Sequence, residues 1–273
     1  CAGTRLRVTL EDTLAAGASL ARVRSAAWRL IESRTWADYP HLISISPYVR
    51  ERLTGIATGA IHDIDNPIGE GFFNLPRHED GLVIFSAAVV SRRKNTLGLI
   101  EALARVRKAG LDARLRLAGA VAEPEYDLLV RARIGALDLE PYVVRLGGIS
   151  AAQVAAELSR ASVFALVSPE ENSPLGIEEA MAAGVPVVTS NRCGMPYMVR
   201  DGVTGYLVDP EDASEIAARL IDLLKHPERR ADMGDRARVV ASDRFHPRHV
   251  AERTRAVYAR ALEPRAASRR QEP

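Results

Sequence analysis

The sequence predicts an α/β fold in which a parallel sheet is wrapped on both faces by helices and preceded by part of a second, smaller α/β unit. From about Gly81, short apolar runs alternate with amphipathic stretches, as buried parallel strands and their crossover helices do. Glycines stand directly after two of the apolar runs, at Gly119 and at Gly147-Gly148, where a chain leaving a strand must turn. The segment 168–188 sets a short Ala-rich helix between two apolar runs and places acidic residues at its start. The chain of 273 residues, 47% hydrophobic and 26% charged, has ordinary globular composition and room for one large or two modest domains.

Taken in order, residues 12–34 read as mostly helical, 41–46 as a strand, 47–53 as a helix opened by Ser46-Pro47, and 60–64 as another strand. These are too few elements for an independent doubly wound domain. Asn66-Pro67 and Gly69 mark a turn-rich connection. The strand over 82–88 follows. Next comes a helix over 96–109, with Leu97, Ile100, Leu103 and Ala104 on one face and Gly110 at its end. A strand over 114–118, a helix over 126–134 and a strand over 143–146 continue the alternation. Ser150 caps a helix that turns Val154, Ala155, Leu158 and Ala161 inward. Strands over 163–167, 185–189 and 205–208 bring the total to six, and helices from Asp212 to about Leu262 close the fold. The tail 263–273 is charged and expected to be disordered. The domain division is 1–78, 79–240 and 241–273.

Composition excludes several classes. Lys+Arg 37 against Asp+Glu 35 gives a net charge of +2, so nothing in the balance points to nucleic acid. Lysine stands only at 94, 108 and 225, and the remaining 34 basic residues are arginine, a pattern of coding bias. Cys1 and Cys193 cannot form a disulfide framework and suit a reducing compartment. No apolar run approaches the roughly 18 residues of a membrane span, and no signal peptide is visible. The chain opens on Cys1 in place of Met, so residues are expected to precede it.

The chemistry concentrates between Ser168 and Val188. Two pairs of glutamates, Glu170/Glu178 and Glu171/Glu179, share one spacing across the turn Pro174-Leu175-Gly176. A turn opening a helix presents unpaired N–H groups and the positive end of the helix dipole, a seat for phosphate. On a helix beginning near Leu175, Glu178 and Glu179 point about 100° apart, so only one of them can face a ligand. The basic run Ser91-Arg92-Arg93-Lys94-Asn95 follows the first strand of the main sheet, where an open α/β sheet binds ligands. Lys94 there can hold a diphosphate as a point charge. A solvated basic loop is the plain alternative.

The segment 168–188 resembles the Glu-x7-Glu signature of retaining nucleotide-sugar glycosyltransferases of the GT-B fold, family 4 in particular. The likeness includes the helix and the strand Gly184-Val185-Pro186-Val187-Val188, and it extends over roughly residues 42–262. It places the second acid directly before Ala180-Met181-Ala182, which selects Glu179 and therefore Glu171. The implied fold is GT-B, with a Rossmann-like doubly wound donor domain and a partial Rossmann-like N-terminal domain, most of the acceptor-side domain being missing. The resemblance implies sugar transfer from a nucleoside diphosphate sugar to a sugar or glycolipid acceptor, with retained configuration, no protein nucleophile, no metal and no cofactor. Lys94 and Glu171 become the catalytic candidates. Arg93, Gly148, Pro174, Leu175, Gly176 and Glu179 become the donor-binding ones. The family's Gly-Arg pair in the loop before the lysine falls on Ala88 and Val89, so one phosphate cation is missing, with Arg92 or Arg93 as the substitutes. Gly194 resembles the family's loop after the next strand, although Tyr197 and Met198 stand where an acid is usual.

Other features are weaker. Asp63-Ile64-Asp65 matches a metal-binding Asp-x-Asp but lies in the connection between units. His246-x2-His249 lacks a partner acid at helical spacing, and His246 reads as a C-terminal cap or surface residue. Gly69-Glu70-Gly71 runs into Phe72-Phe73, so no dinucleotide fingerprint exists. Arg22, Arg24, Trp28, Arg29, Arg34 and Trp36 form a basic, aromatic-bearing stretch. It is expected to pack on another domain, with a peripheral contact to an anionic membrane face as the alternative. The expected location is cytoplasmic, with possible contact to the inner face of the plasma membrane. Two rivals to a sugar transferase remain: a nucleotide-sugar-binding pseudo-enzyme and a GT-B nucleotide-sugar epimerase.

Overall fold

The computed structural model describes residues 39–263. Cys1, the expected helix over 12–34, the basic aromatic stretch through Trp36 and the tail beyond Glu263 lie outside the described residues.

Two parallel strands, β1 (His41–Ser44) and β2 (Ala60–Asp63), pair with His41 opposite Ala60 and are joined by α1 (Pro47–Leu53). Ser46 caps α1, accepting from the Val49 N–H at 3.3 Å, and Pro47 takes the first helical position, where its missing N–H costs nothing.

The main sheet contains β3 (Leu82–Ala87), β4 (Ala113–Ala118), β5 (Val143–Gly147), β6 (Val163–Leu166), β7 (Val187–Ser190) and β8 (Gly205–Val208). Its spatial order is β5-β4-β3-β6-β7-β8 and every pair is parallel. Counted from β3, that is the 3-2-1-4-5-6 order of doubly wound nucleotide-binding sheets. The intervening helices are α2 (Thr96–Lys108), α3 (Pro124–Ala136), α4 (Ala151–Arg160) and α5 (Leu175–Ala182), and β8 is followed by α6 (Ala213–Lys225), α7 (Pro227–Arg244) and α8 (Pro247–Leu262).

Because strand side chains alternate, the central strands feed two cores. Ile84 of β3 and Val163 and Ala165 of β6 join Leu99, Ile100 and Leu103 of α2, Val130 of α3 and Leu220 of α6 on one face. Val83, Phe85, Phe164 and Leu166 join Leu158 of α4, Ile177 and Met181 of α5 and Ala237 and Ala241 of α7 on the other. Ile100 and Leu103 of the expected α2 face are buried, but Leu99 and Val106 complete it and Leu97 and Ala104 are only partly buried. On α4, Leu158 and Ala161 are buried with Val154 and Ala155 packed beside them. Near the margin of the second face, Arg116 of β4 pairs with Glu157 of α4 through an Nη2–Oε1 contact of 2.7 Å.

α7 runs on across residue 240 to Arg244, and Phe245 behind it is fully buried. The Phe245 carbonyl accepts from Ile68 N–H at 2.9 Å, which ties the connection between the units to this corner. α8 then returns to the small sheet, where Val250 and Val257 bury Ile64. His246 is an N-cap, not the C-terminal cap expected, at a part-exposed position. Phe245 ends α7, Pro247 opens α8, and His246 between them accepts from Arg248 N–H through Nδ1 at 3.3 Å. No helix among the described residues is long and apolar enough to cross a membrane.

Gly119, at the exit of β4, has φ +143°, and a Cβ on it would sit 1.9 Å from the Ala88 carbonyl oxygen. Gly119→Ala is expected to destabilise the protein by about 2–3 kcal/mol, through forced backbone strain and overpacking. Urea unfolding reads this directly, and a loss below about 0.5 kcal/mol would contradict the close approach.

Candidate functional site

β3 and β6 are neighbours whose following connections travel in opposite directions, toward β4 and toward β7. Their exits diverge and leave a crevice at the C-terminal edge of the sheet, the position where open α/β sheets bind ligands.

The chain leaving β3 makes a single 3-10 turn over Arg92–Lys94 and reaches Asn95 in the left-handed region, φ 53°. Asparagine tolerates that conformation better than most side chains. The Asn95 side chain then holds three places at once. Its Oδ1 caps α2 by accepting from Gly98 N–H at 3.2 Å. Its Nδ2 donates to the carbonyls of Pro210 at 2.7 Å and Val167 at 3.3 Å. Asn95 therefore fixes the residue beside it, Lys94, against the exits of β6 and β8. In the sequence it reads only as the end of a basic run. The signal that could have found it is a capping residue directly before an apolar-periodic helix.

Across the crevice, the loop after β6 carries Glu171. Its carboxylate, with 10% of the side chain exposed, forms an ion pair with Lys94 through Oε1, and Arg93 Nη1 reaches the same oxygen at 3.0 Å. Arg93 also donates to the Glu170 carbonyl at 3.2 Å. Two cations thus converge on one carboxylate oxygen. The loop is held from behind by Gly194, whose N–H donates to the Glu171 carbonyl at 2.8 Å. Any side chain at Gly194 would collide with the Asn172 carbonyl, 1.8 Å from an ideal Cβ.

Pro174 is the N-cap residue of α5, buried and without a side-chain cap, so the first-turn amides of Leu175 and Gly176 have no carbonyl within the helix to bond. Gly176 lets this helix start come close to the sheet, because a Cβ there would lie 3.0 Å from the Phe164 ring and 3.3 Å from the Ala87 carbonyl. The α5 N-terminus therefore abuts the end of β3.

The glutamates separate by environment. Glu170 is exposed, and Glu178 is sealed at 0% exposure. Glu171 is buried and ion-paired, and Glu179 is half-buried, raised to about 7 by burial alone. Of the two pairs with the same spacing, Glu170/Glu178 joins an exposed carboxyl to a sealed one, and Glu171/Glu179 joins a buried, ion-paired carboxyl to a half-buried one. Lys94, Arg93 and Glu171 are brought into contact, and Pro174, Leu175 and Gly176 form the helix start beside them. Gly148 lies on the same sheet edge after β5, exposed and two strands away from β3, with open space where a side chain would stand. Val89, at the position of the expected second cation, is 39% exposed.

The Asp-x-Asp carboxylates are both engaged by arginine: Asp63 by Arg50 at 2.8 Å and Asp65 by Arg244 at 2.7 Å. Among the described residues, no group of three or more His, Cys, Asp and Glu side chains could hold a metal ion.

Comparison with known proteins agrees with this geometry. The family described as glycosyl transferases group 1 matches residues 68–240. The N-acetyl-alpha-D-glucosaminyl L-malate synthase of Bacillus anthracis is 30% identical over 165 residues, which is 60% of this chain and 42% of that protein. The chain thus spans less than half the length of that relative. Among solved structures, sucrose-phosphate synthase from Thermosynechococcus elongatus superposes with a TM-score of 0.78 at 22% identity, covering 86% of this chain and 62% of that one. Anabaena Alr3699/HepE in complex with UDP and glucose gives 0.74 at 20% identity, covering 87% and 67%. At these identities the structural likeness is one of fold, and it is the α/β fold with a six-stranded parallel sheet that the sequence predicts.

Burial also raises Glu178 to about 7 from 4.5. The folded protein therefore holds this proton more tightly than the unfolded chain, and the stability that Glu178 contributes is lost as pH climbs from about 4.5 through 7. Glu178→Gln is expected to be more stable than the parent above pH 7, by up to roughly 3 kcal/mol, and equal to it near pH 4.5. Thermal unfolding of both across that range checks the sign; a variant advantage confined to acid pH would reverse the assignment.

Proposed function

Since the chain belongs to the glycosyl transferases group 1 family, we propose that it moves a hexose-type sugar from a nucleoside diphosphate sugar to a sugar or glycolipid acceptor with retention of configuration. The observation that carries this reading is the convergence of Lys94, Arg93 and Glu171 at the start of α5, at the point where the connections from β3 and β6 part in opposite directions. Anabaena Alr3699/HepE, which shares the fold, was solved in complex with UDP and glucose, and this supports a nucleotide as the ligand here.

In this reading the diphosphate lies against the Leu175 and Gly176 amides and the positive end of α5. It replaces Glu171 as the partner of Lys94, which frees the Glu171 carboxylate to accept from hydroxyls of the donor sugar. Arg93 follows Lys94 to the phosphates and stands in for the cation that Val89 does not supply. Glu179 accepts from the ribose hydroxyls, and Gly148 leaves room for close backbone approach to the base. When the bond from the anomeric carbon to the phosphate oxygen breaks, negative charge grows on the diphosphate, where the cations and amides already point. The acceptor hydroxyl attacks the same face and gives its proton to the departing phosphate oxygen, so no protein nucleophile, metal or cofactor takes part. Action at the cytoplasmic side, peripheral to the inner face of the plasma membrane, suits a glycolipid acceptor.

A second reading, nucleotide-sugar binding without transfer, is favoured by Val89 at the missing cation. Incubation with a bound nucleotide sugar and candidate acceptors separates the two: transfer or slow donor hydrolysis supports the enzyme, and binding with neither supports the second reading.

Nucleotide binding carries its own signature. Ribose hydroxyls donate to an ionised Glu179, whose carboxyl is raised to about 7 by burial. Affinity for the preferred nucleotide among UDP, GDP and ADP is therefore expected to rise by about tenfold per pH unit below 7 and to level off above it, with a proton released on binding. Calorimetry in buffers of different protonation enthalpy measures both, and a pH-independent affinity would remove Glu179 from the site. Glu179→Ala is expected to lose binding, and Lys94→Ala to weaken diphosphates far more than the bare nucleoside. In a thermal-shift titration the parent gains roughly 2.7 kcal/mol at about 100 times the dissociation constant, and an equal gain in Glu179→Ala would contradict its role.

A further inference from the structure

Glu178 is a fully buried carboxyl that the proposed chemistry does not use. Its exposure is 0%, although it stands next to Glu179 and in the first turn of α5. Ser173 Oγ donates to its Oε1 at 2.6 Å, and its Oε2 has no hydrogen-bond partner among the described residues. A charged carboxylate so placed would leave one oxygen without compensation in a site closed to solvent, whereas the neutral acid keeps the bond from Ser173 and avoids burying the charge.

The surroundings come from two other parts of the chain. Asp65 and Asn66 of the connection between units and Arg244 from the end of α7 act on Glu178. Of these, the charged groups are Asp65 and Arg244, which neutralise each other across 2.7 Å. Asn66 Nδ2 reaches the Ser173 carbonyl at 3.5 Å, and Arg244 donates to the Tyr197 carbonyl at 2.7 Å. Ser173 is thus gripped twice, by its hydroxyl from α5 and by its carbonyl from the connection. It lies two residues after Glu171 and directly before Pro174, the cap of α5.

We propose that Glu178 is a positioning residue for the site, fastening Ser173 and with it the 171–175 loop to the connection at Asp65–Asn66, so that the carboxylate loop and the link between the two units are ordered together. The functional consequence rests on the donor-site reading above; the mechanical one does not. Ionisation of Glu178 puts a charge with one unpartnered oxygen into a sealed site, and the cost of burying it there loosens the fastening as pH rises. The acid is thereby a pH-sensitive clasp between the connection and the ligand-facing loop.

Amide hydrogen exchange on the ligand-free chain, corrected for intrinsic rates and run between pH 6 and 8.5, tests this without any nucleotide. In the parent, protection of 65–68 and 171–176 is expected to fall together as pH passes 7. Glu178→Gln, which keeps the accepting oxygen and cannot ionise, is expected to hold both segments protected and flat with pH. Glu178→Ala and Ser173→Ala are expected to speed exchange in both segments on the order of tenfold at pH 6, the size a lost buried hydrogen bond carries. Parent and Glu178→Gln tracking each other across pH, or Ser173→Ala leaving 65–68 unchanged, would overturn the proposal. UDP, GDP and ADP affinities measured on the same four proteins separate the two readings: a parent that binds none of them counts against the donor site, while the exchange profile still decides the clasp.

Discussion

The reversal of strand order at β3 and β6, whose connections part in opposite directions, governs the rest of this structure. Each of these strands is buried on both faces, so each must hand its chain to a helix, and the two helices leave toward opposite sides of the sheet. The divergence opens a crevice that no side chain creates. Lys94 and Glu171, 77 residues apart in sequence, meet because their loops are the two lips of that crevice. Asn95 reinforces the arrangement with a single side chain that caps α2 and holds the exits of β6 and β8.

Close approach is the second requirement, and small residues meet it. Gly176 brings the start of α5 against Phe164 and the end of β3, which aims the helix dipole into the crevice rather than past it. Gly194 lets the loop after β7 rest its N–H on the Glu171 carbonyl. The carboxylate loop is therefore supported from beneath by backbone and in front by two cations. Such a loop is preorganised, with its carboxylate held in place before any ligand arrives.

The site is also coupled to the link between the units. Arg244, Asp65, Asn66, Ser173 and Glu178 form one polar seam running from the end of α7, past the connection, to the start of α5. α8 adds an apolar crossing through Ile64, Val250 and Val257. A change in how the small sheet sits would be felt at Ser173 before it reached Glu171, because the seam consists of direct hydrogen bonds among part-buried groups around the sealed Glu178.

By itself the sequence determined the sheet and its six strands, since apolar periodicity and strand-exit glycines are local signals that burial must respect. It also placed the acidic helix and its turn, and through resemblance it named Lys94, Glu171 and Glu179. Spacing alone left open which glutamates pair, because Glu170/Glu178 and Glu171/Glu179 share it, and the resemblance chose the second pair. Only the tertiary structure could seal Glu178, expose Glu170, join Arg93 and Lys94 to one carboxylate oxygen and make His246 an N-cap. Asn95 looked like the end of a basic run for the same reason: two of its three partners, Val167 and Pro210, are remote in sequence. Pattern fixes which face a residue shows, but the charge and hydrogen-bonding state of a buried polar group depends on neighbours that distant segments supply.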